Sequence, residues 1–463
     1  MGILNNIINN IITNFSKNIR NNIDDNNLKS NNEYSKINFP DGNLKNYIEQ
    51  QMLISIHNIN NKSLDDFSYD DIIDYLNNLK IIVINWKINN ETFKNYCEFF
   101  KTLPKLDTLG LSNCGVTDFS PLNDLHNIQY LDISYNNLEN INFLSNLKYI
   151  SYLNISNNNI KSLLPLRNTK NIINIDFSNN NISYIMPILN NVNLKEINAN
   201  NNNIKDYKYI SILKYLQNLS MCNSNINDIN FLNSLTNITF LDLSNNSISK
   251  ICTINNKPNL YHLNLSENYI KDITNINNAK SLKELILSKN IICNIDNLKT
   301  NINLQTLNIS FNNIQNIDII NHLPNLNILI CNSNKISSIN TYSDLKNIFY
   351  MSLYDNFLDD NILLEHFSNL EYINLGQNKI NILPDFSKNN NLKDLYIAEN
   401  KIIDISNIKT LNNLTKLNIS YNKISNANIL KELSNLIYLD ISNNNINDFS
   451  FLQDLKNLKE TIK

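Results

Sequence analysis

One eleven-residue pattern recurs along most of this chain at a constant step of 22 residues. Between Ile128 and Leu138 it has the form I-x-x-L-x-I-x-x-N-x-L. The first copy begins at Leu106 and the last complete copy begins at Leu436, so sixteen copies follow one another without an inserted or deleted residue. In such a chain each unit packs only on its neighbours, and length sets the number of stacked units rather than the number of separate cores.

Each copy begins with the alternation that is typical of a short β-strand. In Leu131-Asp132-Ile133 two apolar residues flank one polar residue, so the apolar side chains point inward and Asp132 points outward. A unit of this length leaves room on its other side for a 3₁₀ or single helical turn, hardly for a full helix. We therefore predict an α/β solenoid: a right-handed horseshoe with a parallel β-sheet on its concave face and short 3₁₀ or irregular segments on its convex face.

An asparagine ends each predicted strand, and we expect these side chains to form a ladder through the core. A carboxamide both donates and accepts hydrogen bonds, so stacked asparagines would satisfy turn backbone groups that are otherwise buried unpaired. Cys114 and Ser224 replace the asparagine in two copies. The predicted ladder consists of Asn136, Asn158, Asn180, Asn202, Asn246, Asn268, Asn290, Asn312, Asn334, Asn356, Asn378, Asn400, Asn422 and Asn444.

The residues that precede the repeats predict two further segments. In residues 1–43 apolar side chains recur at helical spacing between Ile3 and Ile19, and a polar linker follows. This amphipathic helix would pack on the molecule or a partner helix, or alternatively lie on a membrane surface. Residues 44–105 predict a helical N-terminal cap that includes an atypical first repeat of 27 residues and a helix with Asn90 as its N-cap.

The array at residues 106–463 ends with a truncated unit that begins at Leu458. Its pattern shows no distinctive C-terminal cap. Three alternatives stay open: the last half-turn is enough to cover the end of the core, another chain covers the open edge by dimerisation, or the reading frame is truncated. The oligomeric state is left open for the same reason.

Composition excludes several classes of function. A net charge of −3 gives no basic footprint for nucleic acid. The six cysteines and five histidines show no metal-ligand spacing, and no phosphate-binding loop or nucleophile motif occurs, so we expect no catalysis, metal or cofactor. The many asparagines lie in register with the repeat, which favours the codon bias of an AT-rich genome over a prion-like tract. Without a signal peptide or a long apolar run, a cytoplasmic location is expected.

Units such as residues 235–248 (LTNITFLDLSNNSI) resemble the SDS22-like class of leucine-rich repeats, which includes bacterial internalins. The resemblance covers about residues 79–463. It implies a non-catalytic module that binds a protein partner on the concave sheet face. The alternatives are a membrane-peripheral or surface-exposed adhesin or effector similar to internalins, and a phosphatase-regulatory subunit similar to SDS22. The chain lacks the distinctive C-terminal cap of that regulator and the sorting motif of a surface internalin.

The outward strand positions carry the candidate binding residues, because no packing demand fixes them. Aromatic and apolar residues there form a small N-terminal group (Tyr130, Tyr135, Tyr152) and a larger C-terminal group (Ile328, Ile330, Tyr350, Tyr354, Tyr372, Tyr396, Tyr421, Tyr438). With strands about 4.8 Å apart, the larger group would make a strip of roughly 25 Å. Tyrosine is enriched in binding hot spots. Acids outnumber bases at these positions, so we expect the face to tolerate a basic partner.

Overall fold

The computed structural model describes residues 37–56, 68–251, 254, 257–277 and 279–463. Three α-helices precede or flank the first repeats: α1 (Gly42–Ile56), α2 (Tyr69–Asn78) and α3 (Asn90–Phe100). The helix predicted between Ile3 and Ile19, most of its linker, and Cys252 lie outside the described residues. The described chain divides into two compact units, one containing α1 and α2 and the other containing the repeats.

The first unit is built from α1, α2 and residues 98–105. Along α1, Leu44, Ile48 and Met52 recur at helical spacing and are buried. Helix α2 starts at a capping box, in which the Ser68 hydroxyl accepts from the Asp71 backbone and the Asp71 carboxylate accepts from the Ser68 backbone. Within the predicted cap at residues 44–105, these two segments are therefore helices in the structure.

Helix α3 begins one residue earlier than its predicted cap implies. The side chain of Asn89, rather than Asn90, accepts the backbone N–H of Thr92 at 2.8 Å. The Asn90 carboxamide oxygen instead accepts the backbone N–H of Thr117 at 3.0 Å and that of Asp118 at 3.2 Å. The prediction of Asn90 as the N-cap is wrong by one position, because both residues are asparagine and only the backbone geometry distinguishes them.

The repeats form one open parallel sheet, which confirms the predicted solenoid class. Each strand pairs with the next in sequence with a register of 22 residues, as in Tyr130↔Tyr152, and the first pair has the predicted register of 27, Ile81↔Thr108. The strands described are β1 Ile81–Val83, β2 Thr108–Gly110, β3 Tyr130–Asp132, β4 Tyr152–Asn154, β5 Asn174–Asp176, β6 Glu196–Asn198, β7 Asn218–Ser220, β8 Phe240–Asp242, β9 His262–Asn264, β10 Glu284–Ile286, β11 Thr306–Asn308, β12 Ile328–Ile330, β13 Tyr350–Ser352, β14 Tyr372–Asn374, β15 Asp394–Tyr396, β16 Lys416–Asn418, β17 Tyr438–Asp440 and β18 Glu460–Ile462.

Short 3₁₀ helices lie on the opposite side of most repeats. They are Ser120–Asp124, Asn142–Asn146, Leu164–Asn168, Met186–Ile188, Tyr207–Ile212, Asn230–Ser234, Thr274–Ile276, Asp296–Thr300, Asp318–His322, Ser406–Thr410, Asn428–Glu432 and Ser450–Asp454. The core lies between these segments and the sheet. In repeat 2, Leu131, Ile133, Leu138, Ile141 and Leu144 are all buried there. The core therefore runs the length of the array and leaves most of the outward strand positions partly exposed.

A left-handed residue precedes the ladder position in every repeat. The backbone φ of these residues lies between 51° and 59°, and most of them are asparagine or another polar residue. Asparagine visits this region more readily than bulky residues do. In three repeats the position holds an aromatic residue: Tyr135, Phe311 and Tyr421. The side chains of these three residues are more than half exposed.

Candidate binding surface on the sheet face

The predicted ladder asparagines share one pattern of hydrogen bonds. In Asn158, Nδ2 donates to the carbonyl oxygens of Ile133, Ile155 and Ser156 at 3.0–3.1 Å, and Oδ1 accepts from the Leu138 N–H at 2.9 Å. At all fourteen positions the amide donates to the carbonyl 25 residues earlier, in the preceding repeat. The ladder thereby fixes each strand of the sheet relative to its neighbours.

The two departures from asparagine make fewer of these bonds. The Ser224 hydroxyl lies 3.3 Å from the Ala199 carbonyl oxygen and 3.1 Å from that of Cys222. Cys114 has its sulfur 3.5 Å from Asn136 Oδ1. A hydroxyl has one proton where a carboxamide has two, so these repeats are tied to the preceding repeat by weaker contacts.

A second row of asparagines, which the sequence pattern did not single out, lies on the outer flank. Each member stands immediately before the first apolar residue of a repeat. Nδ2 of Asn413, Asn435 and Asn457 donates to the backbone carbonyl 23 residues earlier at 2.7–2.9 Å. The asparagine excess therefore has a local structural role that codon composition does not explain. Its recurrence at this one repeat position is the signal that could have found it.

The C-terminal group contains three tyrosines on adjacent strands whose rings contact one another. Tyr350 and Tyr372 are paired in register on β13 and β14, and their ring centroids lie 4.1 Å apart with planes 4° apart. Tyr396 lies on β15 in register with Asn374, one outward position further along the strand, and its ring centroid is 5.4 Å from that of Tyr372 with the planes tilted by 39°. On the other side, Ile328 of β12 is in register with Tyr350, and Ile330 lies on the same strand. All five side chains are partly exposed, so they form a continuous apolar and aromatic surface.

Tyr354 joins this surface because the next repeat has no side chain at the equivalent position. A Cβ added at Gly376 would lie only 3.0 Å from Tyr354 Cδ2, whereas serine is common at this position in other repeats. The pKa of the Tyr354 hydroxyl is raised by burial and by the neighbouring carboxylates of Glu399 and Asp355. We define the tyrosine strip as Ile328, Ile330, Tyr350, Tyr354, Tyr372 and Tyr396.

The structure places two predicted members outside the tyrosine strip. In the row of Tyr350 and Tyr372, the next two positions are Asp394 and Lys416, whose side chains form an ion pair at 3.1 Å. Tyr438 lies on the strand after that ion pair. Tyr421 lies beyond the end of strand β16, at the left-handed position, and is 57% exposed.

The N-terminal group is smaller and has different surroundings. Tyr130 and Tyr152 stack with ring centroids 6.1 Å apart, and Tyr135 stands apart at its left-handed position. The pKa of Tyr152 is raised first by burial and then by the carboxylates of Asp132, Asp176 and Glu196. This pair of rings is thus surrounded by acidic side chains rather than by isoleucines.

The buried carboxylates of this region are used inside the repeats. Asp132 accepts the Ser134 backbone N–H at 2.9 Å and the Asn154 amide at 3.1 Å. Asp176 makes the same two kinds of contact, and burial raises the pKa of both carboxyl groups. Because their oxygens already accept hydrogen bonds inside the protein, these two carboxylates are less available to pair with a basic partner protein than the number of acids on the face implies.

A third aromatic contact lies between the two tyrosine groups. His262 stacks on Phe240 with ring centroids 4.3 Å apart and planes 6° apart, and its Nδ1 lies 2.6 Å from Glu284 Oε2. The three residues occupy the same row on β8, β9 and β10. Among the described residues no group of three or more histidine, cysteine or acidic side chains could hold a metal ion. No helix in that part of the chain is long and apolar enough to cross a membrane.

Comparisons with known proteins agree with this architecture. The family model for leucine-rich repeats (two copies) matches residues 104–146. The leucine-rich-repeat protein LIC12759 of Leptospira interrogans is similar in structure, with a TM-score of 0.71 and 25% identity over 81% of this chain and 99% of that one. The functional domain of InlJ from Listeria monocytogenes has a TM-score of 0.62 and 20% identity over 75% of each chain.

An ectodomain of the Arabidopsis thaliana receptor kinase GASSHO1/SCHENGEN3, solved in complex with CASPARIAN STRIP INTEGRITY FACTOR 2, is also similar. Its TM-score is 0.65 and its identity 19% over 85% of this chain and 51% of that one. No curated protein matches the sequence. At these identities the internalin and the receptor are similar in fold alone.

Proposed function

We propose that this chain, a leucine-rich-repeat protein, binds a protein partner through the tyrosine strip on its sheet. The fold is a general protein-interaction module, typically without catalysis, which fits the absence of catalytic motifs in the sequence. One observation carries the proposal: three tyrosines from adjacent strands lie in ring contact on a partly exposed surface beside Ile328 and Ile330. Tyrosine buries a large area at low entropic cost and keeps a polar tip, so such rows are favourable anchors.

The surroundings of the strip indicate the chemistry of its partner. Apolar side chains of the partner would cover the tyrosine rings. At the rim of the strip, the carboxylates of Glu399 and Asp355 lie close to the Tyr354 hydroxyl. A basic residue that follows an apolar stretch would meet those carboxylates. We therefore expect a protein segment with apolar anchors and at least one lysine or arginine.

The test is a selection of binding peptides from a random display library against the full chain. Peptides that bind the wild type should lose at least about tenfold in affinity for the variant Tyr350→Ala/Tyr372→Ala/Tyr396→Ala, because hot-spot truncations cost more than about 1.4 kcal/mol. Thermal melting should stay near that of the wild type, since these side chains lie outside the core.

A matched control removes three exposed tyrosines that lie off the sheet face. The variant Tyr261→Ala/Tyr269→Ala/Tyr342→Ala should keep full affinity for the selected peptides. Equal binding by the strip variant and the wild type would show that the strip is not the binding surface. The cytoplasmic location stays a prediction of the sequence.

A further inference from the structure

The charge of the chain is distributed unevenly between its repeats. The net charge of the whole protein is −3, but residues 140–217 contain eight lysines and arginines and three acids. This stretch covers most of repeats 2 to 5. The excess of positive charge is therefore concentrated in one part of the array.

None of the three acids in this stretch lies on the outer surface of the repeats. Asp176 and Glu196 lie on strands β5 and β6 at outward positions of the sheet face. Asp206 is buried and accepts the backbone N–H groups of Ile185 and Met186 at 2.9–3.1 Å. The side away from the sheet and its flank therefore carry more bases than acids in these repeats, with Glu139 as an acid that lines the same cleft as Leu164 and Arg167.

Large apolar side chains are exposed among those bases. Leu164 and Met186 occupy the same position in successive repeats. Tyr184 and Val192 lie in the same repeat as Met186, and Ile212 and Tyr215 lie in the next. All six are more than half exposed. Single exposed apolar residues are common on proteins, whereas six large ones within three consecutive repeats favour an interaction site. We call these six residues, with Lys148, Arg167, Lys170 and Lys214, the basic apolar face.

The backbone holds this face in a fixed arrangement. Leu164 and Met186 each begin a 3₁₀ helix, and Pro165 and Pro187 restrict the first turn of those helices. The carbonyl oxygens of Lys148, Arg167 and Lys214 accept side-chain amides of asparagines in the following repeat at 2.7–2.8 Å. Ligand binding would thus not need to order this backbone first.

We infer that the basic apolar face binds the surface of an anionic phospholipid bilayer. Lysine and arginine reach lipid phosphates with their charged ends, while leucine, methionine, isoleucine and tyrosine side chains enter the boundary between headgroups and acyl chains. Four of the six apolar residues are aliphatic, so the face lacks the base-stacking platform that single-stranded nucleic acid needs. The sheet, with its tyrosine strip, lies on the other side of each repeat and stays accessible.

Vesicle flotation of the full chain tests this inference. Wild-type protein should float with vesicles of phosphatidylcholine and phosphatidylglycerol and not with phosphatidylcholine alone. Each basic residue near an anionic surface contributes about fivefold in partitioning, so Lys170→Glu/Lys214→Glu should lower the partition coefficient at least about 25-fold. The control Lys409→Glu/Lys431→Glu makes the same change of charge on the outer side of repeats 14 and 15 and should keep most of the binding.

A second pair of variants separates this face from the predicted amphipathic segment. Met186→Ser/Ile212→Ser removes apolar side chains from the face without changing charge, and should also reduce flotation. Ile7→Asp/Ile11→Asp changes the predicted amphipathic segment instead. This variant should still float with anionic vesicles, because the basic apolar face is unchanged. The inference is overturned if the wild type binds neutral and anionic vesicles equally, if it binds neither, or if only the Ile7→Asp/Ile11→Asp variant loses binding. Binding of an acidic protein without vesicle binding would assign the face to a protein partner.

Discussion

In the tyrosine strip, Tyr350 and Tyr372 occupy the same repeat position as Tyr130 and Tyr152 of the N-terminal pair. Their surroundings differ. The strip has isoleucines on one side and a glycine that makes room for Tyr354, while the pair is surrounded by the carboxylates of Asp132 and Asp176. The strip therefore exposes apolar area, whereas the pair adjoins an internal hydrogen-bond network.

The difference shows that the residues 22 positions before and after an outward tyrosine determine which side chains its ring contacts. Tyr372 meets another tyrosine at that step in one direction and Asp394 in the other. Tyr152 has Tyr130 before it and Asn174 after it. A binding surface on such an array is thus a property of three or four consecutive repeats, and neighbouring repeats with an ion pair end it.

The largest expected effect comes from the asparagine ladder, and it tests whether the ladder contributes equally to stability below the pair and below the strip. Asn158→Ala beneath the pair and Asn356→Ala beneath the strip should each lower the free energy of unfolding by about 3 kcal/mol, because each leaves buried carbonyl groups unpaired. Urea denaturation measures both. A much smaller loss for Asn356→Ala would mean that the regions differ in their core as well as on their surface.

A methyl group at Gly376 tests the packing that is special to the strip. Gly376→Ala should cost about 1–2 kcal/mol of stability, because its Cβ would lie 3.0 Å from Tyr354 Cδ2 and 3.2 Å from Asn374 Oδ1. The cost should shrink when Tyr354→Ser is also present. The control is Ser156→Ala, at the equivalent repeat position near the pair, which adds no volume. Equal losses with and without Tyr354→Ser would contradict the assigned role of Gly376.

The aromatic residues at left-handed positions give a test that applies to both regions. Tyr135→Asn and Tyr421→Asn should each raise the free energy of unfolding by about 1 kcal/mol, because asparagine tolerates that backbone conformation better. Melting temperatures measure the gain. Tyr421→Asn should leave the affinity of strip-selected peptides unchanged, and a loss of affinity would extend the strip to Tyr421.

The smallest effect is a dependence on pH that belongs to the N-terminal pair. Burial raises the pKa of Asp132 and Asp176, so their contribution to stability is present below the ordinary carboxyl pKa and is lost as the pH rises through the raised values. The stability of Asp132→Asn/Asp176→Asn relative to wild type should therefore fall when the pH is lowered from about 7 to about 4.

The control for this slope is Asp272→Asn/Asp448→Asn. Hydrogen bonds from Thr274 and Ser450 lower the pKa of these two exposed carboxyl groups, so the relative stability of this variant should change in the opposite direction. Chemical denaturation at each pH measures both differences. Parallel slopes for the two variants would contradict the role of burial at Asp132 and Asp176.

The strands and their register were predictable because the constant step of 22 residues leaves one way to pair neighbours. The same step located the outward positions, including Tyr350 and Tyr372. It did not show that Asp394 and Lys416 would pair and interrupt the row, although both residues stand in that row in the sequence. Pairing depends on side-chain rotamers, which a pattern of apolar positions does not encode.

Other features were hidden because the pattern records residue types and not backbone angles. The left-handed position tolerates many polar residues, so Tyr135 and Tyr421 resembled ordinary surface tyrosines until φ was known. The flank asparagines, such as Asn435, bond to backbone carbonyls 23 residues earlier, a distance that suggests no local motif. The cap at Asn89 was displaced by one residue for the same reason.

The constant register also fixes the distance along the sheet between residues at the same position of different repeats. Tyr130 stands on β3 and Tyr350 on β13, ten strands apart. At about 4.8 Å per strand, the two aromatic anchors are about 48 Å apart along the sheet. A partner that holds both must span that length, and a flexible one would gain avidity through its linker without any new contact. Adding or deleting whole repeats between them would change the spacing in fixed increments and leave both anchors intact.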